Sequence, residues 1–328
     1  MTQPTTDHRD ATPRTAPAPT LDPNRVPAAI TDLGAEIDAA IGAALQRVEL
    51  ADSLRDAAVY AALGPGKRVR PALCLRCAQA VGGGDGPASG LTTGARRAMA
   101  MPAAVALEMV HAFSLVHDDL PGLDGDELRR GRPTLHVHAG EAMAVLAGDL
   151  LLVRALEVLT EGPFDDRTAR LVAAELAAAT RDMVSGQVYD TMGDLPEGLS
   201  DRERVDLIHR KKTGALLTAA CRLGPLAAGD RPESDELASI TAYAERLGLM
   251  FQIVDDLLDV EQAPDHTGKR TGKDAEAGKL TFPAVLGVEA SRRAVSRLER
   301  EALEWIEPLG PPAEPLRELC RWLAIRTR

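Results

Sequence analysis

Aromatic residues are scarce in this chain, making up 3% of its 328 residues as four Phe, three Tyr and two Trp. Its core must therefore be built largely from Ala, Leu and Val, within a hydrophobic fraction of 45%. That mix favours long, closely packed helices over sheet. Alternating strand patterns are absent too. An excess of positive charge is also missing: the net charge of −11 argues against general nucleic-acid binding, which wants a basic face. No apolar run approaches the length needed to span a bilayer, and the N-terminus lacks a signal-peptide core. Stable membrane insertion is therefore not expected. Cysteines number only four, Cys74, Cys77, Cys221 and Cys320. Cys74 and Cys77 have no second ligand pair at zinc spacing and lie one turn apart in an apolar stretch. Buried reduced thiols in a cytoplasmic protein are expected. Neither a Walker loop nor a dinucleotide fingerprint occurs, so no nucleotide site is implied.

Residues 1–27 are rich in Pro, Thr, Ala and charge without periodicity, which predicts a disordered tail. From 28 to 328 helical patterns dominate, broken at Gly64-Pro65-Gly66, at Gly82 to Pro87, at Pro121-Gly122, at Gly162-Pro163, at Gly193 to Gly198, at Gly229 to Pro232, at Ala263 to Gly272 and at Pro308 to Pro315. The fold class expected is all-α, one large helical bundle with the active site between its helices.

What is present in unusual concentration is aspartate inside apolar helical segments. Asp118-Asp119-Leu120-Pro121-Gly122-Leu123-Asp124 follows Ala-Phe-Ser-Leu-Val-His, and Asp255-Asp256-Leu257-Leu258-Asp259 follows Gly-Leu-Met-Phe-Gln-Ile-Val. Ionised carboxylates are almost never buried unless they pair or bind metal. Two such clusters suggest facing walls of a cavity that holds divalent cations. Asp255 and Asp259 stand at i and i+4 with Gln252 a turn earlier, and carboxylates so close repel one another without a cation. The bland reading, a solvated acidic face, is opposed by the apolar flanks. EF-hand spacing and its central Gly are missing, whereas Mg²⁺ takes a few carboxylates plus substrate phosphates. In the first cluster Pro121-Gly122 breaks the helix, so that Asp124 can fold back towards Asp118. Gly66-Lys67-Arg68-Val69-Arg70-Pro71 and Arg129-Arg130-Gly131-Arg132-Pro133 supply complementary positive charge. Taken singly, each basic motif reads as an exposed turn. Acid and base around an apolar pocket together read as diphosphate chemistry on a hydrocarbon.

His111 lies two turns, about 10 Å along a helix axis, before Asp118. A lone helical His is usually structural, and pattern alone gives His111 that role. His117, His136, His138 and His209 carry weaker signals.

The ordered set GKRVRP (66–71), EMVHAFSLVHDDLPGLDGDELRRGRPTLH (108–136), GEAMAVLAGD (140–149), GQ (186–187), KTGAL (212–216), FQIVDDLLD (251–259) and GKDAEAGKLTFP (272–283) resembles the trans-type short-chain isoprenyl diphosphate synthases, the farnesyl and geranylgeranyl diphosphate synthases. The match runs from about residue 28 to the C-terminus. It implies a helical bundle of the isoprenoid synthase type with a central cavity, three Mg²⁺ ions per active site and a homodimer. It implies that Asp118, Asp119, Asp124, Asp255, Asp256 and Asp259 hold the metal ions. Arg129, Lys212, Thr213, Gln252, Lys273 and Lys279 would grip the allylic diphosphate, and Lys67, Arg70, His111 and Arg130 the isopentenyl diphosphate. The resemblance thus turns His111 from a structural residue into a ligand. Departures are few: Pro65 stands for a second Gly, Gly125 for an acidic residue and Ser185 for a Gly, and none removes a presumed ligand.

The implied reaction is 1'-4 head-to-tail prenyl transfer, with Asp118, Asp119, Asp124, Asp255, Asp256 and Lys212 as its catalytic set. Cationic groups stabilise the departing diphosphate, the alkene of isopentenyl diphosphate attacks the allylic cation, and a proton is lost. No protein nucleophile is required, in keeping with the lack of a convincing Ser/His/Asp or Cys/His set. Phe113, with Ser114 beside it, lies a turn and a half below Asp118, where the family's bulky aromatic floor goes with the C15 product. Farnesyl diphosphate is therefore the product expected, with geranylgeranyl diphosphate as the alternative. A terpene cyclase would have no use for Lys67, Arg70 and Arg130, and a silent subunit should have lost one aspartate cluster.

Overall fold

In the computed structural model, which describes residues 21–82, 90–261 and 280–327, helices α1 (Ala28–Gln46), α2 (Asp52–Ala62), α3 (Val69–Ala80) and α4 (Thr93–Asp118) come first. A hairpin of β1 (Leu128–Arg129) and β2 (Arg132–Pro133) leads into α5 (Leu135–Ala139), α6 (Glu141–Thr160), α7 (Asp166–Met192) and α8 (Asp201–His209). From α8 the chain passes through one π-helical turn, Arg210–Gly214, directly into α9 (Ala215–Ala227). Then follow α10 (Asp235–Glu261), α11 (Phe282–Leu286), α12 (Val288–Trp305) and α13 (Glu314–Ile325).

Helix α4 is the axis, packed against α3, α6 and α9. Thr92 caps its start, its hydroxyl accepting the Ala95 N–H at 3.2 Å. At 26 residues α4 is long and apolar enough to cross a membrane, which corrects the expectation that no run here reaches that length. Its apolar surface goes into the protein core instead: 67% of the apolar window is buried. Helix α1 shows the same logic at smaller scale. Ile30, Leu33, Ile37, Ile41 and Leu45 recur at helical spacing and are all buried, each worth roughly 1.5–3 kcal/mol.

With so few aromatics, tight helix contacts depend on small residues. A Cβ at Gly224 in α9 would lie 1.9 Å from the Cys74 carbonyl oxygen in α3, so only glycine permits that crossing. The four cysteines are free and buried, as expected. Burial pushes the Cys74, Cys77 and Cys320 thiols above their ordinary range.

Buried arginines tie the bundle together. Arg154 of α6 donates to the Ala44 carbonyl at 3.2 Å and to Glu161 at 2.5 and 2.8 Å. Arg96 donates to the carbonyls of Val81 (2.7 Å) and Gly82 (3.2 Å).

The all-helical architecture stands, with one local exception. The hairpin pairs Leu128 with Pro133 and Arg129 with Arg132 across a two-residue turn. Both turn residues have positive φ, Arg130 at 51° and Gly131 at 76°, the backbone of a type I′ turn. A strand of two residues leaves too little alternation for a sequence pattern to register.

The predicted tail also proves too long. Within its described part, Leu21 and Val26 pack against the core, and Asn24 Oδ1 accepts a hydrogen bond from the Thr327 hydroxyl at 2.7 Å. Two apolar anchors are enough to hold a Pro-containing segment that lacks any periodicity. Residues 1–20 lie outside the described residues.

Candidate active site

A cavity of about 350 Å³ opens between α4, α7 and the π turn. Its polar wall carries Arg70, His111, Asp118, Lys212 and Thr213, and its apolar wall includes Phe113, Met183, Val188 and Leu216. Residues from four separated parts of the sequence thus converge on one space.

Asp118 ends α4, and the backbone after it turns back: the Asp124 N–H donates to the Asp118 carbonyl at 2.9 Å. The fold-back expected from Pro121-Gly122 brings the two carboxylates close enough to interact. Burial, opposed by Lys212 and reinforced by Asp124, pushes the Asp118 carboxyl up to about 6. Asp119 points elsewhere. It is 3% exposed and accepts hydrogen bonds from Nε and Nη2 of Arg129 at 2.5–2.8 Å, so the two are partners of each other here.

The second cluster lies on α10. Asp255 and Asp259 are partly exposed, as is Gln252 one turn earlier, so they share the face that helical spacing predicted. The Asp255 carboxylate is bound by the guanidinium of Arg326, which also lies 4.4 Å over the Phe251 ring. Asp256 is buried on another face. Its Oδ2 accepts the Phe282 N–H at 2.9 Å and stands 3.5 Å from His209 Nε2. His209 stacks on Phe282 at 5.3 Å, and burial lowers it to about 4, leaving a neutral ring. Among the described residues, no three carboxylate, imidazole or thiol groups come close enough to chelate an ion by themselves.

The basic residues of the two motifs split into two groups. Arg70, in the first turn of α3, lies 3.3 Å from His111 Nε2. Burial, then Arg70 itself, lowers His111 well below the ordinary imidazole range, so the neutral ring accepts from the guanidinium. Arg70 also feels the Asp255 carboxylate of the second cluster. Its Nε is buried without a hydrogen-bond partner among the described residues, and so is Gln187 Nε2 on the cavity wall. Arg130 sits at the hairpin tip, its guanidinium donating to the Pro65 carbonyl at 2.5 Å. A Cβ at Gly66 would lie 2.6 Å from this guanidinium and 2.8 Å from that of Arg68, so glycine lets the two basic motifs meet. Lys67 is exposed, with its ammonium 5.3 Å over the Trp322 ring. Lys273 and Lys279 lie outside the described residues.

Arg68, expected only as part of a basic motif, is a brace instead. It is held in a left-handed conformation (φ 50°) by Asp38 (2.6 Å), Glu108 (3.1 Å) and the Gly64 carbonyl (3.0 Å). Asp190 was missed as well. It accepts the Lys212 ammonium at 2.5 Å, and its only sequence signal was a place four residues after Gly186.

Phe113 and Ser114 both line the cavity, Phe113 edge-to-face with His117 at 5.0 Å and Ser114 donating to the His111 carbonyl at 2.9 Å.

Residues 51–305 match the family model described as polyprenyl synthetase. A chloroplastic geranylgeranyl pyrophosphate synthase 11 of Arabidopsis thaliana is 43% identical over 284 residues, covering 84% of this chain and 75% of that protein. The chloroplastic geranylgeranyl pyrophosphate synthase of Catharanthus roseus is 41% identical over 275 residues, covering 81% and 72%. Among solved structures, a geranyltransferase from Legionella pneumophila superposes with a TM-score of 0.76 at 28% identity, over 91% of this chain and 96% of that one.

Proposed function

As a member of the polyprenyl synthetase family the chain is a prenyltransferase that extends prenyl chains, and we propose that it condenses isopentenyl diphosphate with allylic diphosphates up to geranylgeranyl diphosphate, C20. The observation that carries the reaction is one cavity in which Asp118, Lys212 and Arg70 stand over an apolar wall. The charged mouth suits a diphosphate and the wall below it a hydrocarbon. The C20 product is supported by the names of the similar plant proteins, and it displaces the C15 product expected from Phe113 as the leading reading. Phe113 on the cavity wall still favours C15 as the second reading.

Asp118 on the cavity wall and the aspartates of α10 offer carboxylate oxygens, which suit a hard cation such as Mg²⁺. Among the described residues too few of them converge to chelate an ion alone, which fits ions whose shells are completed by diphosphate and water. Asp118, Asp124, Asp255 and Asp259 would hold Mg²⁺, which when bound neutralises charge on the departing diphosphate. Asp119 and Asp256, engaged by Arg129 and by the Phe282 N–H, would orient that set. Lys212 and Thr213 bind the allylic diphosphate beside Asp118. Arg70 and neutral His111 bind isopentenyl diphosphate, Arg70 by charge and His111 by orienting it. Met183, Val188 and Leu216 exclude water from the allylic cation, which water would quench.

The homodimer and the cytoplasmic location belong to the same proposal. Exposed Val145, Leu146, Val153 and Leu156 give α6 an apolar outer face suited to a second copy. Val153→Glu should convert a dimer to a monomer in analytical ultracentrifugation; a wild-type monomer would refute the pairing.

The deciding assay supplies Mg²⁺, isopentenyl diphosphate and dimethylallyl, geranyl or farnesyl diphosphate in turn, and reads product length by chromatography. Accumulation of C20, with farnesyl diphosphate a good acceptor, is expected. C15 accumulation would overturn the product and keep the reaction, and no condensation would overturn both.

A further inference from the structure

Lys212 reaches the cavity from the π turn, a wider coil than the helices on either side of it. Such turns often mark functional sites, but they need outside support to persist, and α7 supplies it at three points. A Cβ at Gly186 would lie 2.2 Å from the Lys212 backbone nitrogen and 2.5 Å from its Cα, so only glycine allows α7 to rest on this turn. One helical turn further, Asp190 accepts the Lys212 ammonium at 2.5 Å. One turn earlier, Asp182 accepts the Lys211 ammonium at 2.8 Å. Asp182, Gly186 and Asp190 fall at i, i+4 and i+8, on a single edge of α7. Successive lysines are thus held by one helix, with the backbone between them seated on glycine.

The two lysines face different spaces. Lys212 and Thr213 line the cavity with Asp118, whereas Lys211 and Gly214 line a groove of about 690 Å³ on the far side of the π turn. Without a restraint, an ammonium on a four-carbon stem would sample many rotamers and lose roughly 2 kcal/mol of side-chain freedom on binding an anion. An ammonium has three N–H donors, so one bond to Asp190 leaves others for a diphosphate oxygen.

We propose that Asp190, on the edge of α7 that seats the π turn at Gly186, is the positioning residue for Lys212: it fixes the ammonium on the cavity side before the allylic diphosphate arrives. This rests on the reading of Lys212 as a ligand of that diphosphate. Asp190 itself touches no reacting atom.

The test is steady-state kinetics on Asp190→Asn, Lys212→Gln and the double variant, varying each substrate in turn, with melting temperature recorded alongside. Asp190→Asn is expected to raise KM for the allylic diphosphate roughly tenfold, the worth of one charge-assisted hydrogen bond. KM for isopentenyl diphosphate should stay where it is. In the Lys212→Gln background the same substitution should change nothing further, because its effect runs through the missing ammonium. Asp190→Glu, which keeps the carboxylate, should recover part of the loss. If Lys212→Gln raises the allylic KM and Asp190→Asn does not, or if the two effects simply add, the positioning role is overturned while the Lys212 reading stands. If Lys212→Gln leaves the allylic KM unchanged, that underlying reading fails and the proposal with it. A loss that appears equally in both KM values would mark Asp190 as structural and also overturn it.

Discussion

The two aspartate clusters share a motif but are handled differently by the fold. After Asp118 the chain breaks and returns, so Asp124 comes back to its neighbour through a backbone hydrogen bond of 2.9 Å. Around Asp255 the helix runs on, and the carboxylates are sorted by helical phase alone. One feature is common to both. In each Asp-Asp pair the second member is buried and engaged by the protein, Asp119 by Arg129 and Asp256 by the Phe282 N–H. The first member is the more open: Asp118 lines the cavity, and Asp255 is partly exposed, bound by the guanidinium of Arg326. Adjacent helical residues point about 100° apart, so one carboxylate can serve the substrate while its neighbour serves the scaffold.

That division can be broken most sharply at the open members. Asp118→Asn or Asp255→Ala should lower turnover by at least about 100-fold with the fold intact, as measured by initial rates and circular dichroism. A near-normal rate would refute their metal role.

The buried members should respond the other way round. Asp119→Ala leaves a mostly buried Arg129 without its partner. Removing one member of a fully buried pair costs about 3–5 kcal/mol, and the partial exposure of Arg129 brings the expectation to roughly 2 kcal/mol. Asp256→Ala leaves the Phe282 N–H unpaired, at about 1–3 kcal/mol. Chemical denaturation measures both, and an unchanged midpoint in either variant would remove the structural role.

A pH series on the metal-free protein sharpens the contrast further. The folded carboxyl of Asp118 is raised to about 6 from an ordinary 3.8, so the native state holds its proton more tightly than the unfolded chain does. The stability this contributes is present below pH 3.8 and is lost as the pH rises through about 6. Metal-free Asp118→Asn should therefore melt a few degrees above the parent at pH 8, and the gap should close on acidification. A variant that is catalytically crippled yet more stable is the signature; a lower melting temperature at pH 8 would contradict it.

The smallest effect concerns product length. Phe113→Ala enlarges the cavity next to His117, and chromatography should show a shift of one isoprene unit with little change in total turnover. An unaltered product distribution would place the floor on another wall.

Much of this was written plainly in the chain. Helical phase put Gln252, Asp255 and Asp259 on one face, and Pro121-Gly122 announced the return of Asp124. What escaped is what depends on distant partners. Nothing near Asp255 in sequence points to Arg326, and nothing near Asp119 says that Arg129 will take both its oxygens. The π turn is invisible because Arg-Lys-Lys-Thr-Gly is compatible with an ordinary helix, and its wider coil depends on α7. The length of α4 misled in the opposite direction: an axis surrounded on all sides by other helices carries as much apolar surface as a membrane segment. The edge of the tail was misplaced because Leu21 and Val26 are isolated anchors with no period to reveal them.

The seam between α3 and α9 has a practical corollary. Cys74, Cys77 and Cys221 are all fully inaccessible along it, and Cys320 is equally inaccessible in α13. Only a thiolate reacts at a useful rate with an alkylating reagent, and burial denies the Cys74, Cys77 and Cys320 sulfurs that state. The native protein thus carries its own silent reporters, and iodoacetamide would count how often the bundle opens.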